Sequence, residues 1–372
     1  MAAPRVLILS AAIGEGHDLP ARLLAAGLEA AGARAEVADG LHAMGPFLER
    51  LALSGSPFDS RWGGYLFDAE YALLAHAAPA RRLAGHLMRR IGGRGLLALI
   101  AARRPDIVVS TYPGVTELLG RLRIEGALSL PVVSAITDLA ALRWWAHPGV
   151  DLHLVTHPES IPEVRSIAGP RADVRAVHGL NDPAFLVARD KLAARDALGL
   201  PLEPPIVLVS GGGWGVGDLT GATGAALAAG AHAVLLCGRK AAVRERMQAR
   251  FGADPRVTVL GFSDRMPDLL AAADCLVHST AGLTVLEAIQ RGCPPISYGW
   301  GHGHVRVNNR AFAAHGLAAV AATPAELASA LRRALSEPRE PDLSFAELPG
   351  AAEMVLGQFA APREAHHVAD RS

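Results

Sequence analysis

The chain has 372 residues, enough for two domains of ordinary size, each with its own core. Its 36 Lys and Arg balance its 36 Asp and Glu, so the molecule as a whole is not an electrostatic nucleic-acid binder. Apolar residues make up 51% and aromatic ones 5%, a mix rich in Ala, Leu and Val that favours helices on parallel strands over an all-β architecture.

In chain order, RVLILS (5–10) reads as a buried strand, followed by a Gly-rich turn and a helix from about Asp18 to Ala31. The opening MAAPRVLILSAAIGEGH holds too short an apolar run for a signal peptide or a membrane span. ARAEVAD is the second strand, and DIVVST (106–111), PVVSAIT (131–137), DLHLVT (151–156) and DVRAVH (173–178) follow, mostly with helical segments between. A second half restarts after GLNDPAF (179–185), with strands in PIVLVSGGG, HAVLLCG, RVTVLGF, CLVHST and PPISYG. The pattern predicts an α/β fold of two Rossmann-like doubly wound domains facing a cleft, 1–180 and 181–340, then a tail over 341–372 that is partly helical and then disordered.

One segment breaks the rhythm. Some sixty-five residues with aromatics (Phe47, Phe58, Trp62, Tyr65, Phe67, Tyr71) separate the second strand from Asp106, and they lead into RRLAGHLMRRIGGRGLLALIAARR (81–104). That run carries seven Arg and no acid. It reads either as a basic amphipathic helix for an anionic membrane surface, through Arg81, Arg82, Arg89 and Arg90, or as a domain helix with a basic solvated face.

Lysine occurs only at Lys191 and Lys240, and neither completes a P-loop. Cys237, Cys275 and Cys293 lack metal-ligand spacing and read as buried free thiols of a reducing compartment. No Asp-x-Asp or Cys pair is present, and neither a metal nor another cofactor is expected.

Three turns are candidate sites. Gly14-Glu15-Gly16-His17 follows the first strand and is no dinucleotide fingerprint, since Leu19 stands at the third glycine position. Its His is either a base that takes a proton from a hydroxyl or a helix-capping or core residue. SGGGWGVGD (210–218) lies between a strand and a helix, and the amides of Gly211, Gly212 and Gly213 suit a phosphate. The alternative is a loop that merely needs positive φ. The third is TAGLT (280–284), where amides around Ala281, Gly282, Leu283 and Thr284 are placed to hold a diphosphate. Glu287 lies one turn on and suits the two hydroxyls of a ribose, or it answers the helix dipole.

At these residues the chain resembles the GT-B glycosyltransferases. More narrowly it resembles the group of monogalactosyldiacylglycerol synthases, processive diacylglycerol glucosyltransferases and the N-acetylglucosaminyltransferase that makes lipid II, over about residues 5–335. The G-x-G-H loop matches at Gly14, Gly16 and His17. The segment ITDLAALRWWAHPGVDLHLV (136–155) matches at Thr137, Asp138, Trp145, Pro148, Gly149 and Asp151. CGRK (237–240, with Arg239), Gly261-Phe262, Met266 and the G-x-T-x-x-E of Gly282, Thr284 and Glu287 match as well.

The resemblance implies that His17 is catalytic, that Asp138 orients the acceptor or shapes the cleft, and that Phe262 to Met266 surrounds uracil. It further implies that the glycine turn holds the diphosphate and that Glu287 binds the ribose. Two positions depart from the pattern. Leu142 stands where the family has His, and HGHVRVNN carries His304 and Val305 where Gln and Glu contact sugar hydroxyls, while Asn308 is kept. The expectation is an inverting, metal-independent hexosyltransferase using a UDP-sugar on a lipid acceptor such as diacylglycerol, cytoplasmic and peripheral on the inner face of the cell membrane. The alternatives are transfer to a soluble acceptor and a degenerate nucleotide-sugar-binding protein.

Overall fold

The structure is a computed structural model. It describes residues 3–13, 15–54, 78–279, 282–299, 301 and 303–360. Six parallel strands form the N-terminal sheet: β1 (Arg5–Ser10), β2 (Arg34–Asp39), β3 (Ile107–Ser110), β4 (Val132–Ile136), β5 (Leu152–Val155) and β6 (Val174–Ala176), in the order β2-β1-β3-β4-β5-β6. Six more form the C-terminal sheet: β7 (Ile206–Ser210), β8 (His232–Leu236), β9 (Val257–Leu260), β10 (Cys275–His278), β11 (Pro295–Tyr298) and β12 (Ala319–Ala321), in the order β12-β11-β10-β7-β8-β9. Helices cover both faces of each sheet. The central strands are therefore buried along their whole length, which is why Val6–Leu9 and Val207–Val209 are continuous apolar runs and not alternating ones.

The strand order fixes where ligands can bind. Each sheet reverses direction once, between β1 and β3 and between β7 and β10, and the loops at the carboxyl ends of those pairs diverge to leave a crevice. His17 follows β1 and Thr111 follows β3, whereas the glycine loop follows β7 and Ser279 follows β10.

The expected strands form, and β12, only three residues long, is an addition. The first helix starts at Glu15 and ends at Ala30, earlier than expected at both ends. The basic helix spans Ala78–Arg103. The aromatics Phe58, Trp62, Tyr65, Phe67 and Tyr71 lie outside the described residues, as do Gly14, Ala281 and the last twelve residues. The tail differs from expectation in one respect. Its helix, Ala351–Ala360, returns to the N-terminal half, where Ala351 and Val355 join the core of Val6, Ile8, Leu24 and Leu28. Gly350 bridges to His178 and starts that return.

The halves meet through an apolar seam. Leu139 of the N-terminal half packs with Val285, Phe312 and Ala318 of the other, and Val305 lies against them. His157 meets the Phe312 ring edge-on, at 5.6 Å between centroids.

Entry into the second half is held by a half-buried carboxylate against a buried guanidinium. Asp274 accepts from Lys191 Nζ at 2.8 Å, from Arg195 Nη2 at 2.5 Å and from the Ile206 amide at 2.7 Å. Arg195 is 4% exposed. Asp274→Ala leaves that guanidinium buried without its counter-charge, so the variant is expected to lose about 3–5 kcal/mol of stability in urea unfolding. A loss under about 1 kcal/mol, the size of a surface pair, contradicts this account.

Candidate functional site: a cleft between a neutral histidine and a buried carboxylate

On the N-terminal side the Glu15–Ala30 helix begins directly after β1 and carries His17 in its first turn. His17 Nδ1 lies 3.0 Å from the carbonyl oxygen of Thr111. A carbonyl only accepts, so Nδ1 bears the hydrogen and Nε2 keeps its lone pair. Tyr112 packs edge-on to the ring at 5.1 Å and Trp145 lies tilted at 5.7 Å. Burial holds the imidazole below its usual pKa. The charge of His304 acts the same way, while Asp138, the Thr111 carbonyl and Asp18 pull in the opposite direction. The ring is therefore neutral at pH 7, the state a general base requires.

Asp138 lies beside His17, with its Oδ2 accepting from Trp145 Nε1 at 2.9 Å. A Cβ placed on Gly16 meets nothing within 4 Å, so the backbone is bare where a ligand approaches. Thr111, Tyr112 and Trp145 complete this wall. Of these, Trp145 lay in a matched segment, but nothing local in TYP after β3 marks the other two.

On the C-terminal side Glu287 lies on the Leu283–Gln290 helix, 6% exposed. Among the described residues no hydrogen bond or ion pair reaches its carboxylate, and burial together with the charge of Asp182 pushes its pKa up to about 7. A buried carboxylate without a donor suits a ligand that brings hydroxyls to it. Gly282 caps this helix in extended conformation, with Leu283 and Thr284 in its first turn.

The glycine loop is more self-contained than expected. The Gly211, Gly212, Gly215 and Val216 amides bond to Leu236, Ser210, Gly212 and Gly211 respectively, and the Gly213 carbonyl accepts from the Arg239 amide. Its close approach to Ser279 is where glycine is needed, since Gly217 has φ +90 and a Cβ there would overlap the Ser279 side chain.

A cavity of about 880 Å³ opens next to this loop, lined by Gly238, Arg239, Arg244, Gln248, Gly261 and Phe262. The Arg239 guanidinium stacks on the Phe262 ring, 3.5 Å from its centroid. Met266 lies apart from this lining, against the core around Leu269.

Several expected roles change. Asn308 is fully buried, and its polar atoms are already taken: Oδ1 accepts from the Leu139 and Ala140 amides at 2.9 and 3.0 Å, and Nδ2 donates to the His304 carbonyl at 3.0 Å. It joins the halves, and its full burial keeps it off the cleft surface. His304 opens the His304–Ala314 helix, exposed and near enough for its charge to act on His17. Leu142 is fully buried among Ile136, Trp145, Val155 and Val164, so its side chain belongs to a core and not to the cleft. No group of three or more metal-ligating side chains occurs among the described residues.

The basic helix also sorts itself. Arg89 is paired with Glu125 at 2.6 Å, and Arg81 acts on Glu117, so both face the protein. The exposed surface instead alternates two rows, Arg82, His86, Arg90 and Arg94 beside Leu83, Leu87 and Ile91. No helix among the described residues is long and apolar enough to cross a membrane.

Comparison with known proteins agrees with both halves. Residues 28–179 match the family described as monogalactosyldiacylglycerol (MGDG) synthase, and residues 215–337 match glycosyl transferases group 1. The processive diacylglycerol beta-glucosyltransferase of Staphylococcus epidermidis is 22% identical over 234 residues, 62% of this chain and 59% of that protein. Its namesake from Bacillus pumilus is 24% identical over 62% and 61%. The chain thus spans about three-fifths of the length of the curated relatives it matches. Among solved structures, spinosyn rhamnosyltransferase SpnG complexed with thymidine diphosphate is 17% identical with a TM-score of 0.61, covering 95% of this chain and 99% of that one. Acinetobacter baumannii MurG is 16% identical with a TM-score of 0.55, covering 96% and 99%. Os79 from O. sativa in complex with UDP is 14% identical with a TM-score of 0.56, covering 95% and 100%. The fold is GT-B.

Glu287 gives the site a signature in stability. Its folded pKa of about 7 lies above the ordinary 4.5, so between those values the unfolded chain is charged and the folded chain holds a proton. Stability then falls as pH rises through that window, by roughly 3 kcal/mol at about 1.4 kcal/mol per pH unit. Glu287→Gln removes the titration. The variant is expected to melt higher than the parent at pH 8 and no higher at pH 4.5, and equal gains at both pH values count against an unpaired buried carboxylate.

Proposed function

We propose that this chain is an inverting glycosyltransferase that moves a hexose or N-acetylhexosamine from a UDP-sugar to a hydroxyl of a lipid acceptor such as diacylglycerol. The observations that carry the reading are a neutral His17 with its Nε2 lone pair unprotonated after the first strand of one GT-B domain and a buried Glu287, without a donor among the described residues, after the fourth strand of the other. Uridine would lie in the cavity by Arg239 and Phe262, with its ribose hydroxyls on Glu287. The diphosphate would be held by amides at the start of the Leu283–Gln290 helix, without a metal. The acceptor oxygen attacks the anomeric carbon, its proton passes to His17 Nε2, and the bond from that carbon to the UDP oxygen breaks. UDP leaves with the electron pair, and attack opposite the leaving group inverts the anomeric centre.

The lipid acceptor draws support from the N-terminal family match and from the diacylglycerol-using relatives. The double row on the Ala78–Arg103 helix supports a peripheral membrane contact, with Leu83, Leu87 and Ile91 entering the interface and Arg82, Arg90 and Arg94 meeting anionic headgroups. A soluble acceptor is the second reading, favoured by the Os79 structure that holds U2F and trichothecene. The degenerate reading loses one of its two supports, because Leu142 is a core residue and its identity does not alter the cleft surface.

Release of UDP from several UDP-sugars, with and without diacylglycerol vesicles, tests the activity. His17→Ala is expected to lower kcat by about 10²–10⁴-fold, the usual worth of a general base. UDP binding with no turnover on any donor would overturn the enzymatic reading. Neutralising Arg82, Arg90 and Arg94 together is expected to weaken co-sedimentation with anionic vesicles by about 10²-fold, at about 1 kcal/mol per charge. Undiminished binding of that variant defeats the membrane surface while leaving the chemistry standing.

A further inference from the structure

We propose that Asn308, which belongs to the donor half, is a positioning residue for the acceptor half: its docking sets the 138–142 loop and thereby the placement of Asp138 and Trp145 against His17. The amides of Leu139 and Ala140 are successive and both donate to the one Asn308 oxygen, at 2.9 and 3.0 Å. Two neighbouring buried amides converging on one point need a shared acceptor, and among the described residues Asn308 of the C-terminal half supplies it. The same loop holds Ala141 at φ +68, a left-handed conformation that a residue with a Cβ adopts only when its surroundings impose it.

The remaining restraints come from the loop's own half. Ser160 Oγ donates to the Leu139 carbonyl at 2.8 Å, and the Leu142 amide donates to Glu163 at 3.0 Å. These fix its flanks, whereas the Asn308 grip fixes its crown. Asp138 precedes the gripped amides, and Trp145, bonded to it, packs against His17. On the donor side Asn308 Nδ2 holds the carbonyl of His304, the first residue of the helix facing the cleft. One fully buried amide therefore spans the distance between the loop that would bear the sugar and the loop beside the base. With the helix undocked, the two amides turn to water and Ala141 is released from its left-handed conformation. The acceptor side is complete only when the domains are docked.

The kinetic consequence rests on the glycosyltransferase reading, but the structural one does not. In hydrogen–deuterium exchange of the full chain, amides in 138–146 are expected to be protected and to exchange faster in Asn308→Ala. UDP affinity by calorimetry is expected to stay unchanged, because neither Glu287 nor the Arg239 cavity is touched. Transfer is expected to lose about 10²-fold in kcat, the effect of a displaced catalytic group, with donor KM unchanged. Asn308→Asp in its protonated form keeps an acceptor oxygen on both amides and a hydroxyl donor for the His304 carbonyl, so it is expected to restore the protection as pH is lowered, measured against the parent at the same pH; if Asn308→Ala does not fold, this variant decides the matter alone. Unchanged exchange over 138–146 in Asn308→Ala, protection still lost in Asn308→Asp at low pH, or UDP affinity falling in step with kcat overturns the proposal. A wild-type chain inactive on every donor removes the kinetic arm and leaves exchange to decide.

Discussion

The functional geometry depends on one buried amide. Asn308 makes three hydrogen bonds at full burial, two of them to the other domain. A buried polar group left without partners costs about 1–3 kcal/mol, so the two domains dock in the one register that satisfies it. Asn181 and Gln290 make a second buried amide contact at 2.7 Å, where the chain passes between domains. Around them the seam is apolar, formed by Leu139, Val285, Phe312 and Ala318. Hydrophobic burial provides the attraction there, and the amides provide the register.

The strands were legible because each is buried on both faces and so appears as an apolar run ending at a glycine or polar turn. RVLILS and PIVLVS are legible for the same reason that the central strands have no exposed face. His17 was legible because strand, glycine turn and helix follow one another locally. The function of Asn308 was not, because its partners lie 168 and 169 residues away and nothing in NNR announces them. The same holds for Ala351 and Val355, whose core includes Val6, Ile8, Leu24 and Leu28 from the far end of the chain. Leu142 misled for a different reason: its position in a motif suggested a cleft side chain, but the turn around left-handed Ala141 points it into the core.

The two changed positions are therefore not of one kind. At Leu142 a core was filled, and the cleft surface does not depend on it. At Val305 an apolar side chain packs against the seam beside Phe312 and Leu139. Val305 is half-buried there, so a carboxylate in its place would give up this apolar contact and part of its hydration. Val305 thus strengthens the joint, and it leaves His304 as the side chain that meets the cleft at the start of its helix.

This separates two kinds of chemistry by location. Among the described residues the apolar seam cluster carries no charge: its amides do not titrate, and burial depresses the His157 pKa to about 4, so that ring is neutral at neutral pH. Docking is then insensitive to pH in the neutral range and little affected by salt. The cleft behaves in the opposite way. His17 is held below its ordinary pKa and Glu287 is pushed up to about 7, so both groups are driven towards their uncharged forms. Burial causes both shifts, because desolvation disfavours the imidazolium as much as the carboxylate. The dry joint that fixes the register therefore also borders a cleft dry enough to tune these two groups, and a looser seam that admitted water would return both towards their ordinary values.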